Sequence, residues 1–116
     1  MAIEIVTGDP VRRLVQLKKT TDSGDVAFVI NGTATVRAAV VDADKLNKLT
    51  DDATLISGAT GADWSTSLVA VVIPETETEK ITVDKPTVDA YIEIEVDDSY
   101  PLTWFVPATI EKGNIT

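Results

Sequence analysis

The sequence contains neither cysteine nor histidine. Those two absences exclude a disulfide framework, a thiol nucleophile, a zinc finger and an imidazole base. Basic residues are scarce: ten Lys and Arg stand against nineteen Asp and Glu, for a net charge of −9. Such a chain is repelled by phosphate backbones and by anionic bilayers, so no nucleic acid and no membrane is expected as a partner. Aromatic residues make up 5% of the chain, thin material for a site that stacks sugars. The longest apolar run, residues 68–73, has six members, far below the roughly eighteen of a membrane span. Residues 1–7 alternate apolar and polar with no basic start, which does not fit a signal peptide.

What the chain has in excess is β-branched residues: 15 Val, 10 Ile and 16 Thr, or 41 of 116. They suit a pleated, half-buried surface. With 44% hydrophobic residues the chain can bury a core, and its length is that of one domain, residues 1–116.

Strand signals recur at short spacing with turn residues between them. Residues 2–7 form a first candidate, ended by Gly8-Asp9-Pro10. Residues 11–19 follow, with Val15 and Leu17 on one face and Arg12, Leu14, Gln16 and Lys18 on the other. Residues 20–25 read as a polar loop. Segments 26–30 and 33–43 are separated only by Asn31-Gly32, the dipeptide of a two-residue type I′ hairpin. Periodicity then lapses over residues 44–63, with a short strand expected at 54–57. In residues 65–73 both alternating faces are apolar, which predicts cover on both sides. Pro74 ends that strand, and one helical turn is expected within residues 75–81. Residues 88–96 alternate cleanly, with Ala90, Ile92, Ile94 and Val96 inward and Tyr91, Glu93 and Glu95 outward. The last strand is residues 102–111, where the neighbours Trp104 and Phe105 must point to opposite faces. Seven or eight strands joined by tight turns predict an all-β fold. The expected form is a two-sheet antiparallel β-sandwich, Ig-like or jelly-roll-like, with at most one short helical turn. Segments 1–9 and 107–116 are either strands of the sandwich or extended arms.

Candidate chemistry is sparse. Glu93 and Glu95 lie on one strand face roughly 7 Å apart, near the spacing of a glycosidase pair. Without a cleft, a solvated strand face is the simpler reading. Asp42, Asp44, Asn47, Asp51 and Asp52 invite a calcium loop, as do Asp97 and Asp98. The EF-hand spacing fails, because Leu46 takes the fifth position and Ala53 the place of the bidentate Glu. A carbohydrate- or calcium-binding module is the alternative function. Gly58 and Gly61 lack the Lys-Ser/Thr of a phosphate loop. No enzyme activity, catalytic residue, metal or cofactor is expected.

Surfaces remain. The doubly apolar strand with Leu68, Ala70 and Val72, the adjacent Trp104 and Phe105, and Leu14 beside Arg12 offer more apolar faces than one small sandwich hides. These seven residues are the candidate interface. Arg12, Arg13, Lys18 and Lys19 cluster on one strand, either to complement a neighbour or to guard a solvated edge.

Several short motifs carry a family resemblance: Gly8-Asp9 opening an alternating strand, the polar loop 22–25, Phe28-Val29-Ile30 and Ala34-Thr35-Val36-Arg37-Ala38. Downstream come Pro74 with Thr76 and Thr78, then Tyr91-Ile92-Glu93-Ile94-Glu95 and Thr103-Trp104. Over roughly residues 6–112 the chain resembles small tailed-phage virion β-sandwich modules, in particular the N-terminal domain of upper baseplate proteins. It departs from them at Val88-Asp89-Ala90, where a Gly usually precedes the Tyr strand, and it stops where they continue into a receptor-organising region. The resemblance implies a non-enzymatic virion structural protein made in the host cytoplasm. Its partners would be tail, neck, baseplate or major capsid proteins, and it would form a homo-oligomer in the particle. An accessory tail subunit or a capsid decoration protein both fit this implication.

Overall fold

The cleanly alternating segment 88–96 becomes the middle of the molecule. The computed structural model describes residues 3–22, 24–31, 33–55, 62–97 and 101–113. Among them are nine strands: β1 (Ile3–Val6), β2 (Val11–Gln16), β3 (Lys18–Thr21), β4 (Gly24–Ala27), β5 (Thr35–Asp42), β6 (Ala53–Leu55), β7 (Leu68–Ile73), β8 (Thr87–Asp97) and β9 (Pro101–Glu111). A 3-10 turn (Trp64–Thr66) precedes β7, and one helical turn, α1 (Glu75–Thr78), follows it after Pro74. The fold is all-β.

β8 pairs antiparallel with β9 along its whole length and with β5 on its other flank, giving a five-stranded sheet of order β1-β9-β8-β5-β6. This sheet is mixed, because β1 runs parallel to β9, with Ile5 opposite Ile110. The expectation of purely antiparallel pairing came from tight turns between successive strands. β1 and β9 sit at opposite ends of the chain, so no turn between them reports their direction. Their pairing makes strands of Ile3–Val6 in one end segment and of residues 107–111 in the other. Gly113 extends this join: its N–H donates to Thr7 Oγ1 at 2.7 Å. A Cβ at Gly113 would collide with the Thr7 carbonyl oxygen.

The remaining strands form two antiparallel ribbons, β2–β7 and β3–β4. They are linked through Leu17. Its N–H donates to the Ser67 carbonyl at 2.9 Å, and its carbonyl accepts from the Phe28 N–H at 3.0 Å. The two groups of one extended residue point to the same side. β7 and β4 therefore lie end to end along one flank of a single long strand, residues 11–21, much as residues 11–19 predicted.

The Asn31-Gly32 hairpin is a correction. β4 pairs with β3 while β5 pairs with β6 and β8, so the chain between them crosses from a ribbon to the large sheet. Asn31 instead caps a local turn. Its Oδ1 accepts from the Thr33 N–H at 3.1 Å and from the Thr33 hydroxyl at 3.0 Å, and its carbonyl accepts from the Ala34 N–H at 2.9 Å. A type I′ turn needs both flanks in one sheet, and here Ile30 bonds the Trp64 carbonyl instead. The hairpin lies earlier, where residues 20–25 read as a loop: Thr21 faces Gly24, whose φ of 107° only glycine adopts without strain.

One core joins all of this. Ile5, Val36, Val40, Ile92, Ile94 and Ile110 of the large sheet meet Val11, Val69, Val71 and Ile73 of the β2–β7 ribbon, every one of them buried.

Candidate functional site

Period-two alternation places the predicted interface residues of β2 and β7 together. Arg12 faces Val72, Leu14 faces Ala70 and Gln16 faces Leu68 across the ribbon, on the face opposite the buried Val11, Val69 and Ile73. Leu14 is 51% exposed. Leu68 and Val72 are half-buried and Ala70 is buried. Arg12, Arg13, Leu14, Ala70 and Val72 line a shallow cavity of about 90 Å³. Both faces of β7 are apolar, as the sequence indicated, and its outer face is covered only in part.

Trp104 and Phe105 do point to opposite faces, and their surroundings differ. Trp104 packs against the core, its ring 5.0 Å from that of Phe28. Its Nε1–H donates to the Lys18 carbonyl at 3.0 Å, tying β9 to β3. Phe105 stands on the outer face of the large sheet, perpendicular to Tyr91 at 6.3 Å. The Lys45 ammonium sits over both rings, at 4.6 Å from Tyr91 and 4.9 Å from Phe105. Sequence reasoning missed this cluster. Alternation puts Tyr91 outward, but Lys45 comes from a turn of the 43–52 loop beside β5, in which its N–H donates to the Asp42 carbonyl at 3.0 Å and its φ is 62°, a juxtaposition that alternation does not record. The candidate interface thus divides between two outer faces and a core strut.

That loop also disposes of the acidic candidates singly. The Asp42 carboxylate accepts from the Asn47 side-chain amide at 2.8 Å and from the Leu46 and Asn47 N–H groups at 3.0 and 3.3 Å. The Asn47 amide first, then the Leu46 N–H, hold this carboxyl below the ordinary aspartate value of 3.8. A depressed folded pKa stabilises the loop fully above that ordinary value, and the contribution is lost as pH falls through the folded value. The Asn47 side-chain amide resonances are therefore expected to shift and sharpen below about pH 4 while core resonances hold. An NMR titration of Asn47 checks this, and an unchanged amide there would contradict it.

Asp52 bonds Lys48 at 2.8 Å, raising the lysine pKa. Asp51 lies 3.4 Å from Lys80, and Asp97 lies 3.4 Å from Arg37. Asp98 falls outside the described residues. Among the described residues, no three acidic side chains gather as a metal site. Glu93 and Glu95 each face a cation on the outer face of the large sheet, Lys48 at 3.8 Å and Arg37 at 3.6 Å. An open cavity of about 240 Å³, between Thr7, Glu79, Ile81, Lys112 and Gly113, had no signal in the sequence. Thr7 and Gly113 meet there where β1 and β9 pair, and residues 79–83 arrive from α1, whose Thr78 hydroxyl donates to the Asp9 carbonyl at 2.8 Å.

Comparison with known proteins finds no family model that matches the chain and no curated protein that matches it.

Proposed function

We propose that this chain is a non-enzymatic structural subunit of a tailed-phage virion, docking through its sheet surfaces onto tail, neck, baseplate or capsid proteins. In this reading the two ribbons form the second layer of a β-sandwich that faces the five-stranded sheet. The observation that carries the docking role is the outer face of β2–β7, where Leu14, Ala70 and Val72 lie together beside Arg12 and Arg13. An exposed leucine among partly covered apolar neighbours and rimmed by charge has the usual anatomy of a contact surface. The virion setting rests on the resemblance of the loop and strand motifs between residues 6 and 112. The best-spaced carboxylates, Glu93 and Glu95, are each taken up by a cation, which fits a structural role.

Placing a charge in the apolar patch tests the proposal. Val72→Asp is expected to leave the purified chain folded and to lower its retention in particles by about tenfold or more, since burying an unpaired carboxylate is costly. Retention is read by quantitative mass spectrometry of particles assembled with the variant. Undiminished retention would remove the β2–β7 face as the docking surface.

A further inference from the structure

We propose that the free edge of β2 pairs with the β2 of a second copy of this chain, antiparallel, about a two-fold axis at Leu14.

The backbone supplies the first argument. Leu17 directs its N–H to Ser67, in register with the β2–β7 ladder. Because direction alternates along a strand, Val11, Arg13 and Val15 also turn their polar groups to β7. Arg12, Leu14 and Gln16 turn theirs the other way. Among the described residues, β2 has no sheet neighbour besides β7. Three successive outward-facing residues are thus ready to form a ladder. Its ends are set by chemistry. Pro10 has no N–H to offer, and the Lys18 carbonyl already accepts from Trp104.

Charge then selects the register. A two-fold axis at Arg12 or Arg13 would set that arginine against its own copy. An axis at Val15 would set Arg12 against Lys18 of the second copy. Like charges directly opposite destabilise a sheet. An axis at Gln16 would set Arg13 against Lys19, so among axes within the free stretch 12–16 only that at Leu14 avoids every such pair: Leu14 meets Leu14, Arg13 meets Val15 and Arg12 meets Gln16. This register also brings the Asp9 end of each strand toward the Lys19 end of the other. The basic residues that guard the edge against most pairings leave this one open.

The third argument is apolar burial. The joined sheet runs β7-β2-β2-β7, with the two Leu14 side chains adjacent at its centre. Each is 51% exposed in the single chain. Ala70 and Val72 of both copies flank them on the same face, so pairing widens the patch proposed above for docking. Closed two-fold dimers are the commonest symmetric assembly.

The inference deepens the reading of this chain as an assembly subunit, and the two fail separately. Absence from particles would remove the virion role and leave pairing of the purified chain untouched. The test uses the full chain in sedimentation velocity, over a concentration series and from about 0.05 to about 0.5 M salt. A monomer–dimer equilibrium is expected. Dimer should rise with salt, because each copy carries −9 and screening relieves their repulsion. Leu14→Lys puts like charges at the axis and should weaken the dimer about tenfold or more. Leu14→Pro removes an N–H that β7 does not use and should do the same. In hydrogen exchange the amides of Arg12, Leu14 and Gln16 should gain protection only at dimer-forming concentrations, whereas Arg13 and Val15 are protected throughout. A chain that stays monomeric at every concentration overturns the proposal. So does a dimer that both Leu14 variants leave intact, or one in which the three outward amides stay unprotected.

Discussion

Replacing Ile92 by alanine is expected to lower the unfolding free energy by about 2–5 kcal/mol and the melting temperature by about 10 °C or more. Ile92 is fully buried at the centre of β8, with Val40 opposite on β5 and Val106 opposite on β9. Removing three carbons there forfeits their transfer out of water and leaves a cavity that two paired strands cannot close. The matched control is Leu46→Ala. Leu46 is as apolar but 81% exposed on the 43–52 loop, so its loss should stay within about 0.5 kcal/mol. Urea unfolding of both variants reads the contrast. Equal losses would mean that the large sheet is not what holds the molecule together.

Trp104 carries the second large effect. Its indole spans the gap between β9 and β3, tilted against Phe28 and bonded to the Lys18 carbonyl. Trp104→Ala should therefore cost about 3 kcal/mol of stability. Trp104→Phe keeps a ring against Phe28 but loses the hydrogen bond and part of the indole's packing, for about 1–2 kcal/mol, less than the alanine variant. A docking anchor would behave in the opposite way, leaving the melting curve of the isolated chain unchanged while assembly fell. Thermal unfolding of the two variants separates these roles. A flat response to Trp104→Ala would return this residue to the interface.

How far the sequence foretold these features depended on whether the controlling interaction was local. β8 and α1 could be read directly, since alternation from Ala90 to Val96 and a break at Pro74 act within a few residues. The alternation within β2 and within β7 was legible too, but that Leu14, Ala70 and Val72 share one side follows from the pairing of the two strands and its register, which nothing local records. The parallel β1–β9 pair was not legible, because Ile5 and Ile110 are joined by nothing in between that records strand direction. Asn31-Gly32 misled for a related reason. Its turn preference is real, but the layer in which each flank is buried was decided by Trp64 and Ile92, far along the chain. At Trp104-Phe105 the opposition of the two side chains was legible, and the assignment of one to the core was not. That choice follows from Phe28 and the Lys18 carbonyl on one side and from Lys45 and Tyr91 on the other.

In the proposed reading the β2–β7 ribbon serves twice, its outer face for docking and its edge for pairing. Leu14 belongs to both, so the face is tested alone by Val72→Asp, which does not touch the free edge, whereas Leu14→Pro alters the edge backbone and the patch together.

The central claim is that this chain is a structural component of a phage particle. Quantitative mass spectrometry of purified, washed particles tests it most directly. The expected result is the intact chain at a fixed ratio to the major capsid protein: a high ratio for a shell position, a low one for a tail, neck or baseplate ring. Particles that contain none of it, from infected cells in which the chain is abundant, would contradict the claim.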